Sequence, residues 1–231
     1  MMHLWQLALS ALVGAVTIPP AMAQPSSGTP SSDQAYPADV YPESGFRLPP
    51  PKREDLDAGA QGVYDMLADP KGGTLAGLRG PGGIQLLSPK LSELSRPLNR
   101  YLRQEAGLTG HVRELAILTT ARAFDSQFEW LAHEGEALRQ GVPQDVIDVV
   151  KHAKTTQGLA EADAVIIELG REAFIAKKVS SATFARALKQ FGQKSLVDIV
   201  ALMGNYAGTA ALLATFDMQL PPGQKPLLPI P

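Results

Sequence analysis

Residues 196–216, LVDIVALMGNYAGTAALLATF, form a helical pattern that is apolar around most of its circumference. A helix of that kind has to be covered on several sides, either by lipid or by other helices. Asp198, Gly204, Asn205 and Gly208 interrupt the run, which favours a helical core over a membrane span. The rest of the chain supplies the helices such a core needs. Residues 53–67 place Leu56, Ala60, Val63 and Leu67 at spacings of three and four, and residues 89–104 place Leu91, Leu94, Leu98, Tyr101 and Leu102 on one helical face. Helical patterns continue over 111–123, 126–140, 143–154, 161–176 and 180–191, and Gly141 followed by Pro143 marks the end of the segment over 126–140. No segment reads as a strand and no fixed-period repeat is present, so an all-α fold is expected.

The punctuation of the chain sets the domain limits. Residues 1–23 read as a secretory signal: an apolar stretch over 4–18, broken only by Gln6, Ser10, Gly14 and Thr17, leads to Ala21-Met22-Ala23 and a cleavage site after Ala23. The start carries only the terminal amine and His3, so an uncleaved anchor is the alternative; either way the domain is expected in the periplasm or secreted, with no stable membrane insertion once the signal is removed. Residues 24–52, with Pro25, Pro30, Pro37, Pro42, Pro49, Pro50 and Pro51, read as a disordered tail, and residues 223–231 as an extended proline-rich end. The helical domain is expected over 53–222. Inside it, residues 71–83 hold so many glycines that a loop at the surface or on a pocket rim is expected; the Gly-Lys-Ser/Thr ending of a phosphate-binding loop is missing.

Composition excludes several function classes. A formal charge of −2, with no basic run, offers nothing to nucleic acid. There are no cysteines, which removes disulfides, thiolate ligands and every route through a sulfenic acid or mixed disulfide.

The residues able to do chemistry lie on two consecutive helices. Glu114 falls inside the apolar run Val112, Leu115, Ala116, Ile117 and Leu118, where an ionised carboxylate must be paired, hydrogen-bonded or protonated. The alternative is a partly wet carboxylate near the helix start, favoured by the N-terminal dipole and paired with a neighbouring arginine. On the next helix Ser126, Glu129, Trp130, His133 and Ala137 share one stripe, while Phe128, Leu131, Gly135 and Leu138 make a second, apolar stripe expected to face the core. A carboxylate favours the charged imidazole and burial opposes it, so the Glu129/His133 pair suits proton transfer. An ordinary surface pair one turn apart is the plainer reading. A Glu/His metal site is weaker, because no second histidine sits at ligand spacing.

The stretches RELAILTTAR, FEWLAHEGEALRQGVPQDVI and LVDIVALMGNYAGTAALLATFDMQLPP, within residues 80–222, resemble the carboxymuconolactone decarboxylase superfamily, which also contains the alkylhydroperoxidase D proteins. The specific part is a Glu followed nineteen positions later by a His, which Glu114 and His133 match. In the peroxidase branch a Cys-x-x-Cys pair precedes that His; here Ser126 and Glu129 stand in its place, so thiol peroxidase chemistry is excluded and Glu129-Trp130 looks like the decarboxylase branch. The resemblance implies an alkylhydroperoxidase D-like helical bundle that forms trimers or hexamers. It also implies a cofactor-independent, metal-free lyase or isomerase acting on a small oxoacid or lactone. In that reading His133 donates and accepts the proton, Glu129 orients it and Glu114 completes the relay. Ser126, Trp130, Arg113 and Arg122 are the candidates for holding the substrate. A non-catalytic exported protein that binds a small ligand on the same fold is the second reading.

Overall fold

The computed structural model describes residues 36–71 and 76–230; the expected signal segment and the first part of the tail lie outside the described residues. The helices are α1 (Ala58–Ala68), α2 (Pro81–Leu86), α3 (Pro89–Arg100), α4 (Gly110–Ala123), α5 (Gln127–Arg139), α6 (Gln144–Lys151), α7 (Glu161–Arg171) and α8 (Ser181–Thr215). Among the described residues β-pairing is confined to one isolated bridge, Tyr41 to Phe46, so the fold is all-α as expected.

Helix α4 is the axis of the core. Its N-terminus is capped by Thr109, whose hydroxyl accepts from the Val112 N–H. Packing against α5, α6, α7 and α8 then buries every residue from Glu114 to Ala121. A helix enclosed on all sides needs no polar face, which accounts for the apolar run from Leu115 to Leu118. All the helices that cover α4 belong to the same chain.

Gly192 breaks α8, with a φ of +72° that glycine adopts without strain, so the expected division near residues 191–195 holds. Beyond the break Ile199, Leu202, Met203, Tyr206 and Leu213 face the core, whereas Val197 stays 66% exposed and Val200 is also outward. By length and composition α8 could cross a membrane. One side of it is nonetheless taken by the core, and Asp198 on that side is held by Lys194 at 2.7 Å and by the Tyr101 hydroxyl at 3.2 Å.

Four expectations are corrected. The expected apolar face over residues 89–104 is buried only at its end: Leu102 joins the core, but Leu94 is 62% exposed and Leu91, Leu98 and Tyr101 are exposed with it. The helix turns Ser92 and its other polar side inward, because α1 and α2 pack there. The glycine-rich stretch is not wholly a loop. Gly77–Arg79 forms a 3-10 turn and Pro81 opens α2, with proline at the first helical position where no N–H is needed. Its glycines serve close packing, since a Cβ on Gly83 would lie 1.9 Å from the Leu78 carbonyl oxygen.

Part of the proline-rich tail is also structured. Phe46 is fully buried among Ile84, Phe128 and Leu213, and the Arg47 N–H donates to the Phe216 carbonyl at 2.8 Å. Prolines there limit regular hydrogen bonding but do not prevent docking of an aromatic anchor. The C-terminal end docks through Gln127, whose amide donates to the Leu228 carbonyl at 2.7 Å. Finally, the apolar stripe expected to be the inner face of α5 is buried only at its start: Phe128 is covered, but Gly135 is exposed and Leu138 is 44% exposed. The stripe carrying Glu129, Trp130, His133 and Ala137 is the buried one.

Candidate active site

Helices α4 and α5 form an antiparallel hairpin joined through residues 124–126, so that Glu114 and His133 meet across it. The Nδ1 of His133 lies 2.7 Å from Glu114 Oε2, and the Arg113 Nε donates to Glu114 Oε1 at 2.8 Å. Burial pushes the Glu114 carboxyl upward, but the hydrogen bond and charge of His133, the Arg113 hydrogen bond and the charge of Arg103 outweigh it. The net direction is below the ordinary carboxylate value, so Glu114 is an ionised acceptor and His133 Nδ1 carries the proton. The other ring nitrogen, Nε2, is left for chemistry and lies 3.6 Å from Glu129 Oε2.

Glu129 has a different electrical setting. Burial raises its carboxyl, and the charges of His133 and Arg103 only partly oppose that. It receives no side-chain hydrogen bond from the described residues, so it holds a proton more readily than an exposed glutamate. Two glutamates thus flank one imidazole with their proton affinities pushed apart, the arrangement that separates acid from base. Tyr206 completes the setting: its ring meets His133 edge-on, with centroids 5.1 Å apart, and burial drives its phenol far above the usual range, so it stays neutral.

His133 and Glu129 open into a cavity of about 300 Å³ between α2, α3, α5 and α8. Gly77, Gly80 and Gly82 form part of its rim, as expected for a pocket-rim segment. A larger depression of about 380 Å³ between α1 and α3 holds no histidine and lies away from the Glu/His group. Among the described residues no group of three His, Asp or Glu side chains is placed to hold a metal ion.

The residues expected to hold a substrate do not line this cavity. Ser126 is the N-cap of α5, its hydroxyl accepting from the Glu129 N–H at 3.5 Å. Trp130 is buried in the main core beneath Lys151, whose Nζ stands 5.9 Å from the ring centroid. Arg113 is committed to Glu114 and to the Arg103 carbonyl, and Arg122 pairs with Asp125 near the far end of α4. The roles of the two glutamates are also exchanged: Glu114, not Glu129, fixes the ring, because only Glu114 is within hydrogen-bonding distance.

Comparison with solved structures places the architecture. The chain is similar to the alkylhydroperoxidase AhpD core of an uncharacterized peroxidase-related protein from Ralstonia eutropha JMP134, with a TM-score of 0.61 and 17% identity over 80% of this chain and 93% of that one. The chain has the alkylhydroperoxidase D-like fold. No protein-family model and no curated protein matches the sequence.

Within the alkylhydroperoxidase D-like fold, the cavity contains residues that the sequence reading missed: Arg96, Asn99, Arg103, Asn205 and Tyr206. A signal for three of them was present, since Arg96, Asn99 and Arg103 recur at spacings of three and four along one helix. The leucines on the opposite side masked that polar row.

The opposed settings of the two acids make a pH prediction. Because the folded protein raises Glu129, its contribution to stability is present below the ordinary value of 4.5 and is lost as pH rises through the raised value. Glutamine resembles the protonated acid, so Glu129→Gln is expected to unfold at a higher temperature than wild type at pH 7 and at a similar one near pH 4. Calorimetric scans at both pH values check this; a lower midpoint at both would contradict it.

Proposed function

We propose that the protein is a cofactor-independent lyase or isomerase of the decarboxylase type, acting on a small oxoacid or lactone by Glu/His acid–base chemistry. The observation that carries this reading is the ionised Glu114 holding His133 through Nδ1 while Nε2 is left beside Glu129 at a cavity that both residues line. For a β-keto acid, the bond to the departing carboxylate breaks, carbon dioxide leaves, and the electron pair moves into the carbonyl to give an enolate. The enolate carbon then takes the proton from His133 Nε2, while the Glu114 carboxylate stabilises the imidazolium beforehand. Glu129 returns a proton to Nε2 and is reprotonated from water. Thiol peroxidase chemistry is not available to a chain without cysteine.

The apolar residues left exposed on α3 and on the outer side of α8 support the expected homo-oligomer. The apolar stretch over residues 4–18 supports export to the periplasm or beyond.

The reading is tested with a panel of small lactones and oxoacids, by thermal shift and then by carbon dioxide release or spectral change. A compound that stabilises the protein and is consumed is expected. If stabilising compounds are found and every one of them survives unchanged, the cavity is a binding site and the catalytic reading fails.

A further inference from the structure

We propose that Arg103 is the anion-binding residue of the cavity and that it holds a carboxylate which stays on the substrate throughout the reaction. This deepens the acid–base reading and rests on it for the identity of the reacting end of the cavity.

The neighbouring arginines show what is unusual about Arg103. Arg100 pairs with Glu105 at 2.9 Å, Arg113 with Glu114 at 2.8 Å, and Arg122 with Asp125. Arg103 is half-buried and lines the cavity with Glu129 and His133, yet no carboxylate among the described residues lies within 4.0 Å of it. A guanidinium turned into a partly dry cavity without a counter-ion gains more from an incoming anion than one already paired. Arg96, whose Nη2 contacts the Met66 sulfur at 3.1 Å, lines the same cavity and likewise has no carboxylate partner among the described residues, which makes the cavity more positive still.

The backbone aims Arg103 there. The end of the α3 segment widens into a π-type turn over Tyr101–Glu105, in which the Ala106 N–H donates to the Tyr101 carbonyl at 2.8 Å. Such a turn inserts one residue and rotates the helix beyond it, and it recurs at functional sites. The Arg103 carbonyl also accepts from Arg113 Nη1 at 3.1 Å, and Arg113 in turn holds Glu114. The backbone that carries Arg103 is therefore tied through Arg113 and Glu114 to the imidazole that lines the same cavity. Its charge reaches Glu114, Glu129 and Tyr206, three groups around His133.

The group it takes is not the one that leaves. A guanidinium bound to a departing carboxylate would stabilise the ground state more than the transition state and slow the reaction. Arg103 therefore anchors a retained carboxylate and so presents the reacting carbon to His133.

The experiment compares levulinate, a keto acid that does not readily lose carbon dioxide, with its neutral amide, following the His133 ring by nuclear magnetic resonance. The wild-type protein is expected to bind levulinate about tenfold or more tightly than levulinamide. Arg103→Gln is expected to bring that ratio close to one, Arg103→Lys to restore part of it, and Arg122→Gln, outside the cavity, to leave it unchanged. The proposal is overturned if wild type binds the two alike or binds neither, or if the ratio survives in Arg103→Gln. A ratio that survives while turnover depends on His133 sinks the Arg103 assignment alone. A ratio that depends on Arg103 in a protein that consumes no panel compound leaves the anion site standing and sinks the acid–base reading.

Discussion

His133→Ala is expected to fold and yet to lose about 10²–10⁴ of its turnover on any compound the wild-type protein consumes, the range by which a positioned acid or base accelerates a reaction. The protein should survive the change because Glu114 keeps its bond to Arg113 at 2.8 Å when the imidazole is removed, and Glu129, whose carboxyl burial already raises, can take up a proton instead of standing as an unpaired charge. The chemistry should not survive it. Tyr206 is neutral and has no acidity to lend in the working pH range, and Glu129 alone lacks the fixed orientation that the bond at 2.7 Å gives the ring. Single-turnover measurement of carbon dioxide release, with unfolding midpoints of both proteins recorded alongside, separates a lost proton donor from a lost fold. Undiminished release would remove His133 from the mechanism.

Glu114→Gln should fail in the opposite order, with stability lost first. The wild-type carboxylate is fully buried and answers two partners, His133 and Arg113. Glutamine can accept from one of them but carries no charge to balance a guanidinium. Breaking a buried pair by neutralising one partner costs about 3–5 kcal/mol, and the lower end applies here because the Arg113 side chain is 17% exposed and can turn toward water. The pH dependence gives the loss a signature. Glu114 is held below its ordinary value of 4.5, so its contribution is fully present above that value and disappears as pH falls through the lowered one. The gap between Glu114→Gln and wild type in denaturant unfolding is therefore expected to be widest near pH 7 and to close in acid. A gap of constant size across that range would mean that the ionised carboxylate is not what stabilises the fold.

The central hairpin was legible in the sequence because two constraints coincide there. A glutamate inside the run Val112 to Leu118 needs a partner, and the resemblance, through its spacing of nineteen positions between a Glu and a His, points to His133, which the hairpin brings to it. The helix stop at Gly141 was legible for a related reason: glycine at positive φ leaves a local mark that tertiary packing does not erase.

What could not be read was the direction in which amphipathic helices face. In α3 the leucine row looked like a core face, but Leu94 and its neighbours are exposed and the arginine row lines the cavity. In α5 the same inversion occurred, since a stripe carrying Glu129 and His133 is buried while Leu138 is not. Both errors have one physical source. Apolar periodicity reports burial only when the inner surface is itself apolar, and here part of the inner surface is a polar cavity lined by Arg96, Arg103, Glu129 and His133. The docking of Phe46 was hidden for a different reason, because a single aromatic anchor among prolines has no period to detect.

Nitrogen-15 magnetic resonance of the His133 ring tests the account most directly, taken at a pH where the imidazole is neutral. Free imidazole side chains favour the proton on Nε2; a ring pinned by Glu114 is predicted to keep it on Nδ1, and to lose that preference in Glu114→Gln. A neutral ring carrying its proton on Nε2 in the wild-type protein would contradict the account.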